Sequence, residues 1–274
     1  MKKMKSILEF MCLVMLTLLI SCGETPSNDS QDEVTEQQTE EVSYPDSLVY
    51  ITKKYERVFP ECLENCTTYD LEYIELANKD FDFINDSIKV ELIGNYKSMD
   101  DAADEFFDDY EEVALDIGNE GFNPPWSHSL TAGVDFNQKG LFTVSYGYYG
   151  YLGGAHGMPG FYSSNYDLET KKELTLNDLL NSKDSTVLKT LGEKYFRIDN
   201  EIGLNDDLGE AGYFWDNKGF YFSEIFTLTN AGLMFTYSPY EIGPYAIGMP
   251  NFIIPYTELQ PYFTENSVLK RLIE

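Results

Sequence analysis

Two stretches, Ser129 to Phe136 and Leu141 to Tyr151, alternate in polarity and are held apart only by Asn137-Gln138-Lys139-Gly140. Period-two runs separated by so short a polar segment pair as an antiparallel hairpin, with Gly140 supplying the tight turn. A lone hairpin is marginal in water, so the rest of the chain must cover its faces.

The sequence offers both kinds of cover. Ile74 and Leu76, then Phe81 and Phe83, then Ile88, Val90 and Leu92 recur at period two, which predicts short strands with turns at Asn78-Lys79 and Asn85-Asp86. From Ser98 the spacing changes. Met99, Ala102, Ala103, Phe106, Phe107, Tyr110 and Val113 follow a helical period behind a capping Ser, and the opposite face is a run of Asp and Glu. That run lacks the Gly and the alternate-position ligands of a calcium loop, and reads as a solvated helix face.

Beyond the hairpin, Phe161 to Leu168 predicts a strand and Leu174 to Leu180 a strand end entering a short helix. A helix follows with Val187, Leu188, Leu191 and Tyr195 on one side. Phe220 to Thr229 and Leu233 to Tyr237 predict a second hairpin, Phe252 to Pro255 a strand, and Tyr256 to Phe263 a last helix. Hairpins interspersed with segregated helices indicate an α+β fold, mainly antiparallel, in two small subdomains.

The N-terminus fixes where such a fold works. Lys2, Lys3 and Lys5 precede an apolar run from Phe10 to Ile20, too short for a hydrocarbon layer that needs about 20 helical residues, so the segment reads as an export signal. Leu19-Ile20-Ser21-Cys22 then resembles the lipobox of bacterial lipoproteins. The expectation is a signal peptide over 1–21, acylation of Cys22, and a cell-envelope protein held by that anchor, at the outer membrane on its periplasmic or surface face. Two or three acyl chains hold a protein where one holds it only marginally. Residues 22–45, almost without apolar content, are expected to be a disordered acidic tether. The folded part is then divided as 46–145 and 146–274.

A formal net charge of −28 repels nucleic acid and excludes it as a partner. Outside the signal and anchor the Cys residues are Cys62 and Cys66, which close a small disulfide loop in an oxidising envelope if the chain turns there. With no second Cys pair and both His far away, no metal site or cofactor is expected. The motifs of serine hydrolases, zinc peptidases, phosphate loops and dinucleotide folds are absent.

One segment stands out as a candidate site: Tyr146-Gly147-Tyr148-Tyr149-Gly150-Tyr151-Leu152-Gly153-Gly154-Ala155-His156-Gly157. Gly153 and Gly154 permit positive φ or close approach beside His156. Strand alternation puts Tyr146 and Tyr148 on one face and Tyr149 and Tyr151 on the other. His156, Gly153, Gly154, Tyr149 and Tyr151 are therefore the ligand-binding candidates. His156 reads either as a turn histidine satisfied by backbone groups or as a ligand-facing one. The Tyr240-Glu241-Ile242-Gly243-Pro244-Tyr245 segment reads as a rigid turn closing the sheet, and His128 beside Trp126 as structural.

These motifs, with Asn165-Tyr166-Asp167-Leu168-Glu169-Thr170 and Leu174-Thr175-Leu176-Asn177-Asp178-Leu179, resemble the DUF3298 family over about residues 146 to 265. Residues 50 to 145 are similar to the DUF4163, or PdaC-like, domain that usually precedes it. The resemblance implies a two-part α+β ectodomain of the kind found in bacterial lipoproteins, in a lysozyme-sensing anti-sigma factor and beside a peptidoglycan deacetylase domain. With catalytic motifs absent and the surface acidic and aromatic, the expectation is an ectodomain that binds rather than catalyses, with a peptidoglycan-type glycan or a cationic protein such as lysozyme as ligand. The rival expectation is a cell-wall hydrolase or deacetylase-like enzyme using His156 and an acidic neighbour.

Overall fold

The computed structural model describes residues 45–274 except 61, 63, 118–123, 182–184, 216–218 and 274. The expected signal peptide, Cys22 and all of the tether except Pro45 lie outside the described residues. Those residues form five α-helices and two sheets, mostly antiparallel, as the α+β pattern predicts.

The first sheet has six strands in chain order: β1 (Tyr50–Val58), β2 (Thr68–Leu76), β3 (Ser127–Gln138), β4 (Leu141–Tyr151), β5 (Met158–Asp167) and β6 (Lys172–Glu173). Each neighbouring pair is antiparallel except β2 with β3. Parallel neighbours need a crossover, and α1 (Asp82–Ile93) and α2 (Met99–Ile117) supply it. The β3–β4 hairpin closes from Gln138 to Leu141 over Lys139 and Gly140, at φ of 53° and 70°, the left-handed pair that matches the twist of the strands.

The strands expected from Phe81 to Leu92 are instead a 3-10 turn, Lys79–Phe81, running into α1, and the expected turn at Asn85-Asp86 lies inside that helix. The apolar residues satisfy both periods. Phe81, Ile84, Ile88 and Leu92 also recur every three or four positions, and these four are the buried ones. Polar side chains decide the outcome: Asn78 accepts from the Asp80 amide at 3.0 Å, and Asn85 caps the end of β2 by bonding both the amide and carbonyl of Leu76. Ser98 accepts from the Asp101 amide and opens α2 as expected.

The second sheet is β7 (Phe226–Leu228), β8 (Leu233–Thr236) and β9 (Asn251–Ile254), all antiparallel. Only three residues of the run expected from Phe220 join the ladder. Phe220 and Phe222 instead send their rings against Gly192 of α4 (Thr186–Asp199), where a Cβ would lie 2.6 Å from each ring. A one-turn helix, α3 (Leu176–Leu179), is fixed by Asp178, whose carboxylate accepts from the amide and hydroxyl of Thr175; those bonds hold it below the usual carboxylate range. The last expected helix is one turn, α5 (Tyr256–Leu259), followed by a 3-10 turn at Gln260–Tyr262, because Pro261 cannot extend the α ladder.

Two hydrophobic cores lie on opposite faces of the first sheet. Phe142, Val144 and Tyr146 of β4 pack with Ile84, Ile88, Ala103 and Phe107 of the helices. Leu141, one residue out of phase, joins Leu188, Phe196, Phe235 and Phe252 of the second core. The two sheets meet through a buried polar seam. Ser163 Oγ donates to the Phe226 carbonyl at 2.6 Å, Asn165 Nδ2 donates to the same oxygen at 2.7 Å, and the Leu228 amide donates to Asn165 Oδ1 at 3.0 Å. The boundary expected between residues 145 and 146 falls inside β4, a continuous strand. Cys62 and Cys66 are disulfide-bonded, with Cα atoms 5.6 Å apart, in the connection between β1 and β2.

Candidate functional site

The last ladder pair of β4 and β5 is Gly150 with Met158, and the connection between them carries Gly153, Gly154 and His156. Gly153 has φ of +80° and turns toward Trp126, whose Nε1 would lie 3.1 Å from a Cβ there; Gly154 has open space beside it. The tyrosines of β4 divide as strand alternation requires. Tyr146 is fully buried and stacks on Tyr162 at 4.4 Å between ring centroids, whereas Tyr149 on the other face is 43% exposed.

Gly157 brings Tyr149 into the site. A Cβ on Gly157 would fall 2.1 Å from the Tyr149 hydroxyl, so only glycine lets the ring lie across this position. Next to it the His156 imidazole stacks on Tyr245 at 3.9 Å and 24°. The Gly157 carbonyl accepts from the Tyr245 hydroxyl at 2.7 Å and lies 2.9 Å from His156 Nδ1. A carbonyl cannot donate, so neutral His156 carries its proton on Nδ1 and leaves Nε2 as an acceptor. The hydroxyl of Tyr240 is 3.5 Å from that Nε2, and the Tyr240 ring is 5.8 Å from Tyr245.

Tyr240 is held at φ of +68°, a sparsely populated conformation for a bulky residue, in the turn where Glu241 accepts from the Ser238 amide at 2.8 Å. The turn expected from the sequence is present, and it also delivers two rings to His156. That juxtaposition was missed. Tyr240 and Tyr245 are 84 and 88 residues from the groups they touch, and the signal available in sequence was the second tyrosine motif itself. Tyr151, opposite Ser127 at the end of β4, and Gly154 make no hydrogen bond or ring contact with His156 among the described residues.

Together these residues make an aromatic surface on a hydrogen-bonded frame. Tyr149 and Tyr240 are 43% and 49% exposed, and both present a ring and a hydroxyl. His156 has a tyrosine hydroxyl and a backbone carbonyl as partners, with no carboxylate bonded to it among the described residues. No three His, Cys, Asp or Glu side chains gather as a metal site among the described residues.

His128 lies elsewhere, in the helix-side core, stacked on Tyr69 at 4.3 Å and 4° with Phe106 and Tyr148 against its edges. Burial lowers its pKa to about 4, and its Nε2 has no hydrogen-bond partner among the described residues. It is a packed aromatic plate, consistent with a structural role.

The Deacetylase PdaC family model matches residues 61–159, and the DUF3298 model, described as a protein of unknown function, matches residues 177–257. Two crystal structures share the fold. A DUF3298 family member from Bacteroides fragilis NCTC 9343 aligns with a TM-score of 0.72 and 19% identity, over 84% of this chain and 99% of that one. A DUF3298 family protein from Pseudomonas aeruginosa PAO1 aligns with a TM-score of 0.63 and 25% identity, over 81% of this chain and 96% of that one. No curated protein matches. Tyr149 and His156 fall in the first matched segment and Tyr240 and Tyr245 in the second, so the site is assembled from both: a segment similar to the PdaC model and, after it, one similar to the DUF3298 model.

Proposed function

We propose that this chain is a lipid-anchored cell-envelope binding protein that holds a peptidoglycan-type glycan on the surface formed by Tyr149, His156, Tyr240 and Tyr245. The observation that carries the reading is the partnership of His156: its ring is stacked on Tyr245 and its nitrogens face a carbonyl and a tyrosine hydroxyl. That arrangement suits stacking against sugar rings and hydrogen bonding to their hydroxyls, and among the described residues no acid is bonded to His156 to serve hydrolysis or deacetylation. The name of the PdaC family describes deacetylases; here the matched segment contributes a strand end and a loop to a binding surface.

The second reading is a cationic protein such as lysozyme held by the acidic face of α2, supported by the net charge of −28. Salt separates the two. Binding through tyrosine stacking changes little with ionic strength, whereas attraction to a basic protein weakens steeply once screening shortens to about 10 Å at 0.1 M. Titration of the protein with peptidoglycan fragments and with lysozyme at two ionic strengths, with Tyr149→Ala and His156→Ala as probes, decides. Salt-insensitive glycan binding lost in both variants supports the proposal. Turnover of a cell-wall substrate abolished in His156→Ala would overturn it in favour of an enzyme. The anchor is tested separately: Cys22→Ala should release the protein from membranes and abolish fatty-acid labelling.

A further inference from the structure

Strand β1 is the edge of the six-stranded sheet: β2 lies on one side of it, and among the described residues no strand lies on the other. The outer backbone of Tyr50–Val58 is a template for another chain. Val49, Tyr50, Ile51 and Val58, all large and apolar, are exposed on or beside it. Proteins ordinarily deter a second strand with charges on such an edge, lysine above all. Here the cations of the edge are already engaged within the chain: Lys53 bonds Glu75, Lys54 bonds Glu72 at 2.9 Å, and Arg57 bonds Asp104 at 2.9 Å.

Glu56 is the exception. It makes no ion pair or hydrogen bond among the described residues, and its register partner on β2 is another carboxylate, Asp70. Like charges directly opposed across a ladder are unfavourable. Burial, with Glu56 adding to it, holds the Asp70 carboxyl above the usual carboxylate range. Alternation places Glu56 on the face of β1 that carries Tyr50, Thr52, Lys54 and Val58, and Lys54, the cation on that face, is held by Glu72. A second cation at the outer side of β1 would complete the row.

Another copy of β1 carries that cation. Two antiparallel copies of one strand pair residues of the same parity, so each possible register centres on a residue that faces its own copy. Centring on Lys53, Lys54 or Glu56 sets like charges against each other, whereas centring on Tyr55 sets Lys54 of each copy opposite Glu56 of the other. The same register lays Val58 against Thr52 and exposed Ile51 against Phe59, which continues the ladder through its amide bond to the Thr67 carbonyl. Lys53 then faces Arg57, and each keeps its own carboxylate. We infer that β1 is the interface of a symmetric dimer, in which two copies of this chain pair edge to edge about Tyr55 with Lys54 of each against Glu56 of the other. Such an interface is isologous and closes on itself, so it makes pairs and not filaments.

Sedimentation equilibrium of the full chain tests it, at about 0.15 M salt, where screening confines the repulsion between two acidic copies to about 8 Å. A strand-edge interface is small, and a dissociation constant of about 1 to 100 µM is expected. Lys54→Glu and Glu56→Lys should each weaken the dimer by about tenfold or more, because each turns two attractive contacts into repulsive ones. Mixing the two variants is the decisive measurement. A Lys54→Glu copy meets a Glu56→Lys copy with both contacts attractive, so heterodimers should form within about threefold of the parent affinity although each variant alone is weakened. A monomeric parent, a dimer undiminished in either variant, or a mixture no tighter than its components would overturn the inference. Both side chains are exposed, and Glu56→Gln, which removes the charge without reversing it, provides a milder variant to repeat the comparison.

Discussion

Asn165 of the six-stranded sheet donates its side-chain amide to the backbone carbonyl of Phe226 in the three-stranded one, at 2.7 Å and with Asn165 only 1% exposed. The same side chain accepts from the Leu228 amide and the Thr143 hydroxyl. Both its ends are therefore used, and the edge of the small sheet depends on it.

Asn165→Ala should consequently cost more than a lost contact. It strands the buried Leu228 amide and Thr143 hydroxyl, each worth about 1 to 3 kcal/mol when orphaned, and leaves the Phe226 carbonyl with Ser163 as its donor, so a loss of about 3 kcal/mol is expected after partial relaxation. Urea denaturation of the variant and the parent measures it. A change below about 1 kcal/mol would mean that water replaces the amide in the seam.

His128 makes stability depend on acid. Its folded pKa, lowered to about 4 by burial, lies below the ordinary value near 6.5, so the fold favours the neutral ring. That preference costs nothing above pH 6.5 and weakens the protein as pH falls from 6.5 toward 4, by about 2 to 3 kcal/mol at pH 4.5. His128→Phe keeps the flat stack on Tyr69 and removes the titration, so its denaturation midpoint should fall less between pH 7 and 4.5 than that of the parent. Parallel falls in the two proteins would refute the assignment.

Gly157→Ala isolates the aromatic surface from the fold. The added methyl group meets the Tyr149 ring, which is free to swing toward solvent, so stability should change by about 1 kcal/mol or less while Tyr149 leaves its place over the loop. Ligand affinity on that surface should then fall as far as in Tyr149→Ala. Unaltered binding would remove Tyr149 from the site.

Gly192→Ala asks the opposite question, because here the neighbours cannot move. The rings of Phe220 and Phe222 are 6% and 7% exposed and close on α4 from the core, so a Cβ must displace them. The helix gains slightly from alanine, by about 1 kcal/mol, but overpacking costs about 1 to 3 kcal/mol, and net destabilisation is expected by thermal melting.

How far the sequence could be read follows from which information is local. The β3–β4 hairpin was legible because its alternation and its turn lie within one stretch, and α2 because its two faces differ so sharply in charge. The segment from Phe81 to Leu92 was misread because its apolar residues fit both periods, and the deciding bonds come from Asn78 and from Asn85 reaching back to Leu76. Within the site, His156 and Tyr149 were evident from their own glycine-rich motif. The encounter of His156 with Tyr240 and Tyr245 was not, since no local pattern encodes which distant turn will fold onto a strand end.

The alternation along β4 carries one more consequence. Tyr146 faces the helices and Tyr149 the opposite side, so the acidic exterior of α2 and the rings around His156 look away from each other across the thickness of the sheet. A basic protein resting on the helix and a glycan resting on the tyrosines would not compete for space. The two proposed surfaces are thus sterically independent, and occupation of one leaves the other open.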